Sequence, residues 1–259
     1  MKQYKLKNGF CVRYQDLPGE GIPLVFLHGL GCASSFEYPA VMAEPALKGR
    51  RAILIDLLGA GYSDKPLNFG YTVEEHAAYL NEMLRGLHLT EFVLFGHSLG
   101  GAVAITLATL MQDVIRCLIL TESNLDPSPD GATSRKIGSQ SNETFLSHGY
   151  ADLLSSAQKR NPLWGATLQS WLPEAAWRIS RSAMKGGTPS WRDQLYALPM
   201  SRSFIFGAQS LPDEDEEVLR QHGVRVDVIP DAGHSMALEH PKRLAQTIAS
   251  ILSDCGLGN

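Results

Sequence analysis

Apolar residues in this chain fall into two rhythms. Leu24–Leu27, Arg51–Asp56, Glu91–Phe95, Arg116–Thr121, Ser203–Phe206 and Arg225–Ile229 are short runs dense in Val, Ile, Leu and Phe. Runs of this kind, bounded by Gly, Pro or Asp, predict strands buried on both faces. Between them, Phe36–Ala43, Thr72 to about Leu87, Ala102–Met111 and Pro241 to about Leu252 read as helices. Thr72 with Glu75 three residues on has the form of a capping box, and Pro241 suits a first helical turn. Asn8-Gly9, between Tyr4–Lys7 and Phe10–Tyr14, predicts a hairpin with a two-residue turn. Strands alternating with helices predict an α/β fold: a mostly parallel sheet covered on both sides, with the hairpin as an antiparallel edge.

The rhythm breaks between Glu122 and Arg192, a helical, polar stretch with no strand pattern that carries Trp164, Trp171, Trp177 and Trp191. A structureless loop of this length is improbable in a compact domain, so the stretch predicts an inserted helical cap. The resulting organisation is core over 1–123, cap over 124–190 and core again over 191–259. The tryptophans read as packing the cap onto the core, with substrate contact as the alternative.

Composition narrows the function classes. The chain has 259 residues, 44% of them hydrophobic, and a formal net charge of −4. There is no clustered basic excess of the kind nucleic acid requires. The acidic run Asp213–Glu217 reads as the solvated first turn of a helix. Cys11, Cys32, Cys117 and Cys255 are scattered without a C-x-x-C pair and read as free thiols of a cytoplasmic protein. No His/Cys cluster has metal-ligand spacing. Met1–Asp16 lacks the apolar core of a signal peptide, and no stretch is apolar and long enough to span a membrane.

Chemistry enters at Gly96-His97-Ser98-Leu99-Gly100, between a predicted strand and a predicted helix. In that context G-x-S-x-G is a nucleophile elbow: a sharp turn that exposes the serine hydroxyl above the sheet and sets backbone N–H groups at a helix N-terminus. Gly233-His234-Ser235 follows the last predicted strand. Parallel strands end on one side of the sheet, so Ser98 and His234 share a face, where His234 can take the serine proton and return it to a leaving group. Leu27-His28-Gly29-Leu30-Gly31 follows an earlier strand, and the Leu30 and Leu99 N–H groups form a natural pair of oxyanion donors. Gly29-x-Gly31-x-x-Ser34 with Asp56 imitates a dinucleotide fingerprint, but it lacks the third glycine and leaves Ser98 and His234 unexplained. His97 and His28 read as structural.

Together with Asp56-Leu57-Leu58-Gly59-Ala60-Gly61-Tyr62-Ser63-Asp64-Lys65-Pro66, these motifs resemble the α/β-hydrolase superfamily, in family order over nearly the whole chain. The resemblance implies an eight-stranded, mostly parallel sheet, a cap inserted after strand six, an active site between cap and core, and no cofactor. The family's usual acid, in Gly-x-x-Asp after strand seven, is missing: the loop reads Gly207-Ala208-Gln209-Ser210. Asp213 lies shortly beyond it. Glu122, directly after strand six, matches the acid position of some haloalkane dehalogenases, with Asp126 as a lesser candidate and an ion pair to Arg135 as the bland alternative for Glu122. Dehalogenases and epoxide hydrolases use an Asp nucleophile, whereas Ser98 points to acyl transfer. The expected activity is therefore serine hydrolysis of a small, rather apolar ester, thioester or lactone. Carbon–carbon bond hydrolysis on the same triad, or a non-catalytic ligand-binding or signalling protein, are the alternatives.

Overall fold

The computed structural model describes residues 1–258. Its centre is an eight-stranded sheet in the order β1-β2-β4-β3-β5-β6-β7-β8. The strands are β1 (Lys2–Lys5), β2 (Cys11–Leu17), β3 (Glu20–Leu27), β4 (Arg50–Ile55), β5 (Phe92–His97), β6 (Ile115–Thr121), β7 (Ser201–Gly207) and β8 (Arg225–Ile229). β1 and β2 pair antiparallel and β2 joins β4 antiparallel; every later pairing is parallel.

Side-chain alternation divides the core in two. Leu24, Phe26, Leu54, Val93, Phe95 and Ile119 face one side, where they meet α1 (Ser34–Met42) and α12 (Pro241–Asp254). Val25, Leu27, Ile53, Ile55 and Leu94 face the other, against α2 (Val73–Gly86) and α3 (Leu99–Leu110). With both faces covered, the central strands need no polar positions, and each fully buried Leu, Ile or Phe contributes on the order of 1.5–3 kcal/mol. α2 opens with the capping box read from sequence: Thr72 Oγ1 accepts the Glu75 N–H at 3.1 Å and Glu75 accepts the Thr72 N–H at 3.0 Å.

Between β6 and β7 the chain is helical: α4 (Thr133–Gly138), α5 (Asn142–Thr144), a π-helical turn over Phe145–Gly149, α6 (Tyr150–Arg160), α7 (Pro162–Leu168), α8 (Pro173–Lys185) and α9 (Trp191–Ala197). Ala175, Ala176, Ile179 and Ala183 of α8 join the core on the α2 side. The Leu172 N–H donates to Gly59 O at 2.8 Å. After β7 come α10 (Asp215–Gln221) and α11 (Met236–Glu239). Among the described residues no helix is long and apolar enough to cross a membrane, and the four cysteines are free thiols.

Three boundaries depart from the sequence reading. The hairpin turn has three residues: Gly9 N–H bonds Leu6 O at 2.9 Å and Leu6 N–H bonds Phe10 O at 2.8 Å. Gly9, at φ +92°, takes the left-handed position that closes a type I turn with a bulge. β3 begins at Glu20 and shifts register before Leu24, so its start is masked by Gly21 and Pro23. α3 begins at Leu99, three residues before Ala102, because Gly100 and Gly101 are helical despite their low propensity.

Candidate active site

β5 and α3 meet at Ser98 with no intervening loop. Ser98 has φ +52° and ψ −125°, a conformation unfavourable for an L-residue. Its N–H donates to Thr121 O at 2.9 Å, and its carbonyl accepts from Gly101 at 2.8 Å and Asn124 at 3.3 Å. The flanking glycines make room for the turn. A Cβ on Gly96 would sit 2.6 Å from Ala104 Cβ, and one on Gly100 would run into the His28 carbonyl.

His234 stands in the loop after β8, with Nε2 3.1 Å from Ser98 Oγ. Its Nδ1 is 3.7 Å from Glu122 Oε2. The other Glu122 oxygen accepts the Gly207 N–H at 2.7 Å. Glu122 itself has φ +46°, and its N–H donates to Ile205 O at 3.2 Å, so the end of β7 holds the residue by both backbone and side chain. Among the described residues it is the one acid within ion-pair reach of His234.

The other acids read from sequence are engaged elsewhere. Asp126 accepts from Arg192 Nε at 2.9 Å, and Arg192 also reaches Asp215 at 2.8 Å. Asp213 accepts the Asp215 N–H at 2.8 Å, at the approach to α10. Arg135 pairs with Asp130 at 2.8 Å rather than with Glu122.

Leu30 and Leu99 present N–H groups that have no backbone acceptor among the described residues. Leu99 is the first residue of α3, where an orphan donor is expected. Beside Leu30, Gly29 O accepts the Cys32 N–H at 3.2 Å. His28 Nδ1 lies 2.9 Å from the same carbonyl while its Nε2 accepts the Leu57 N–H at 3.0 Å. A backbone N–H can only donate, so Nε2 is unprotonated and the proton sits on Nδ1. Full burial lowers the His28 pKa and keeps the ring neutral.

His97 is buried beneath His234, ring centroids 4.9 Å apart, with Nδ1 3.0 Å from Thr121 Oγ1. Burial, with the neighbouring His234 ring secondary, pushes its pKa down to about 3. It packs as a neutral ring.

Sequence reasoning missed Glu37. Its carboxyl is fully buried in α1, one oxygen lacks a partner, and desolvation raises its pKa to about 7. The available signal was helical spacing: position 37 shares a face with buried Ser34 and Val41.

The triad-like group opens into a cavity of about 710 Å³ whose lining includes Ser98, His234, Leu30 and Trp164. The wall is mixed rather than apolar: Leu125, Phe204 and Phe206 stand beside Glu122, Asp126, Asp213 and Asp215. No lysine or arginine lines it among the described residues.

Residues 22–169 match the family model described as the alpha/beta hydrolase fold. The chain belongs to the α/β-hydrolase fold family. An sn-1-specific diacylglycerol lipase of Mus musculus is 27% identical over 256 residues, covering 89% of this chain and 80% of that protein. Haloalkane dehalogenase 2 of Mycobacterium tuberculosis is 33% identical over 110 residues, which is 42% of this chain and 37% of the relative. The chain thus spans little more than a third of the dehalogenase's length. A thermophilic esterase from Thermogutta terrifontis superposes with a TM-score of 0.81 at 25% identity, covering 98% of this chain and 99% of the esterase.

Proposed function

We propose that this α/β-hydrolase is a serine hydrolase acting through an acyl-enzyme. Ser98 Oγ attacks a carbonyl carbon as His234 Nε2 removes its proton. Leu30 and Leu99 N–H groups stabilise the oxyanion, and Glu122 orients and charge-balances the His234 imidazolium. His234 then protonates the leaving group, and water, activated by the same ring, hydrolyses the ester on Ser98. The observation that carries this reading is the 3.1 Å approach of Ser98 Oγ to His234 Nε2 at a serine held in a strained elbow. The 3.7 Å gap to Glu122 is longer than a hydrogen bond, and a tightening of this kind on substrate binding is common in catalytic sites.

The cavity chemistry selects among substrates. The four lining carboxylates outnumber the one guanidinium, Arg192, that pairs with Asp126 and Asp215, so the site stays electronegative, which favours neutral esters, thioesters or lactones over anionic ones. The helices between β6 and β7 serve as the cap, and the substrate enters between them and the sheet. Resemblance to an esterase over nearly the whole chain supports the reading.

Carbon–carbon hydrolysis is the second reading. It draws on 35% identity over 107 residues with 2-hydroxymuconate semialdehyde hydrolase of a Pseudomonas strain, covering 38% of that protein. The test is hydrolysis of short p-nitrophenyl esters by the wild type and Ser98→Ala, with a fluorophosphonate label on Ser98. Turnover that Ser98→Ala abolishes supports the esterase reading. Cleavage of dienoic ketones with little ester turnover would replace it with the second.

A further inference from the structure

Two indoles from the segment between β6 and β7 reach the loop that carries Leu30. Trp164 of α7 donates its Nε1–H to Leu30 O at 3.0 Å. Trp171, in the turn after α7, donates to Cys32 O at 2.7 Å. Gly31, between the two acceptors, has φ +76°, and a Cβ there would lie 2.5 Å from Trp164 Nε1. The tryptophan is thus seated directly on the backbone it bonds.

The Leu30 N–H lies in the Gly29–Leu30 peptide plane, and where that donor sits depends also on how the rest of its loop is anchored. The Gly29–Leu30 plane, which carries that N–H, is held by His28 and by the Cys32 N–H, both on Gly29 O. These are groups of the sheet and its loop. The Leu30–Gly31 plane is held by Trp164, the partner of Leu30 O among the described residues. Gly31 adds no side chain to restrain this stretch, so without the indole on Leu30 O the loop backbone is free to shift and carry the Leu30 N–H with it.

We propose that Trp164 is a positioning residue of the oxyanion hole. By anchoring Leu30 O it fixes the position of the loop that carries the Leu30 N–H, and the hole is complete only while α7 is seated on the loop. This rests on the serine-hydrolase reading above. Oxyanion stabilisation depends on preorganised donors, and a donor free to turn away loses part of its effect in the transition state while leaving ground-state binding intact. Trp164 also lines the cavity, so a simple wall role has to be separated from a positioning role.

Trp164→Phe removes the donor and keeps an aromatic wall. On a neutral p-nitrophenyl ester, kcat is expected to fall about tenfold with KM within about twofold, a partial version of the roughly 10²–10³ loss that follows deletion of a whole oxyanion donor. The inhibition constant of a trifluoromethyl ketone, which binds as a tetrahedral adduct on Ser98, should rise in step with the loss of kcat. Unchanged kcat, or a raised KM at constant kcat, would overturn the proposal and leave Trp164 a wall residue. Should thermal melting show that Trp164→Phe is unfolded, benzothienylalanine at position 164 replaces the N–H by sulfur at nearly constant shape, and the same two outcomes apply. Wild-type protein that neither reacts with fluorophosphonate nor hydrolyses esters overturns the serine-hydrolase reading and this proposal together. Wild-type turnover with an unaffected variant overturns this proposal alone.

Discussion

Glu122 Oε1 accepts the Gly207 N–H at 2.7 Å, so the acid that faces His234 is fixed by the same strand end that usually supplies the family's acid. Glu122 follows β6, yet the place its carboxylate occupies beside the imidazole is defined by the end of β7. Gly207 has no room for a side chain, since a Cβ there would lie 2.5 Å from Gly233 O.

Glu122→Gln should therefore reduce kcat on a p-nitrophenyl ester by roughly 10³-fold or more, because the amide neither balances an imidazolium nor holds the right tautomer. Asp213→Asn, engaged with the Asp215 backbone rather than with His234, should stay within about twofold on the same neutral ester. Steady-state kinetics of the two variants side by side decides the acid. Activity retained by Glu122→Gln would move the role elsewhere.

Charge in the cavity predicts a selectivity. Glu122, Asp126, Asp213 and Asp215 line it against a single guanidinium, Arg192, paired with Asp126 and Asp215, so a hemisuccinate ester should be a poorer substrate than a neutral ester of the same length. Removing one charge in Asp213→Asn should narrow the gap about two- to fivefold, and added salt should narrow it further by screening. Ratios of kcat/KM at low and high ionic strength measure this. A salt-independent ratio would remove the electrostatic explanation.

Gly100→Ala should be poorly tolerated. The added Cβ collides with the His28 carbonyl, a backbone atom that cannot swing away. Overpacking of this kind costs about 1–3 kcal/mol, and here it also displaces the loop carrying Leu30. A fall in both thermal midpoint and kcat is expected. A variant as stable and active as the wild type would contradict the tight elbow.

Glu37 predicts a loss of stability with rising pH. Burial lifts its pKa from 4.5 to about 7, so the folded state binds the proton more tightly than the unfolded chain. Its penalty is absent below about pH 4.5, grows as pH rises, and is complete above about pH 7, at up to about 3 kcal/mol. Glu37→Gln should lie close to the wild type in urea midpoint at pH 4.5 and exceed it at pH 8. Parallel pH profiles for the two proteins would argue that the carboxyl finds a partner when charged.

Buried histidines act in the opposite sense at the acid end. Burial lowers His97 to about 3 and His76 to about 4, below the ordinary 6.5. Their neutral forms contribute stability that is fully present above about pH 6.5 and is lost as pH falls through 6.5 toward 3. Thermal midpoints should drop steeply below pH 6. A flat profile from pH 7 to 4 would mean that these rings gain partners on protonation.

Local chemistry was enough to place much of this molecule. Strand runs and helix periodicity located the sheet, Thr72 and Glu75 marked a helix start to the residue, and G-x-S-x-G between a strand and a helix marked Ser98 as exposed. These features depend on neighbours a few residues apart. The sequence favoured Glu122 as the acid and kept Asp213 and Asp126 as alternatives, since each stands at a loop whose path is set by distant strands.

Tertiary structure brings one of the three to His234. β6 lies beside β7, so Glu122 reaches both Gly207 and His234, while Arg192 draws Asp126 aside and the approach to α10 occupies Asp213. The same holds for Trp164 and Trp171, whose indoles meet carbonyls more than a hundred residues earlier in the chain, and for Glu37, whose burial depends on what covers α1. What the sequence determined by itself was which groups can react and which backbone shapes present them, because side-chain type and local propensity are properties of short segments. Which of those groups meet, and in what dielectric, was decided only when the sheet brought separate strand ends to one edge.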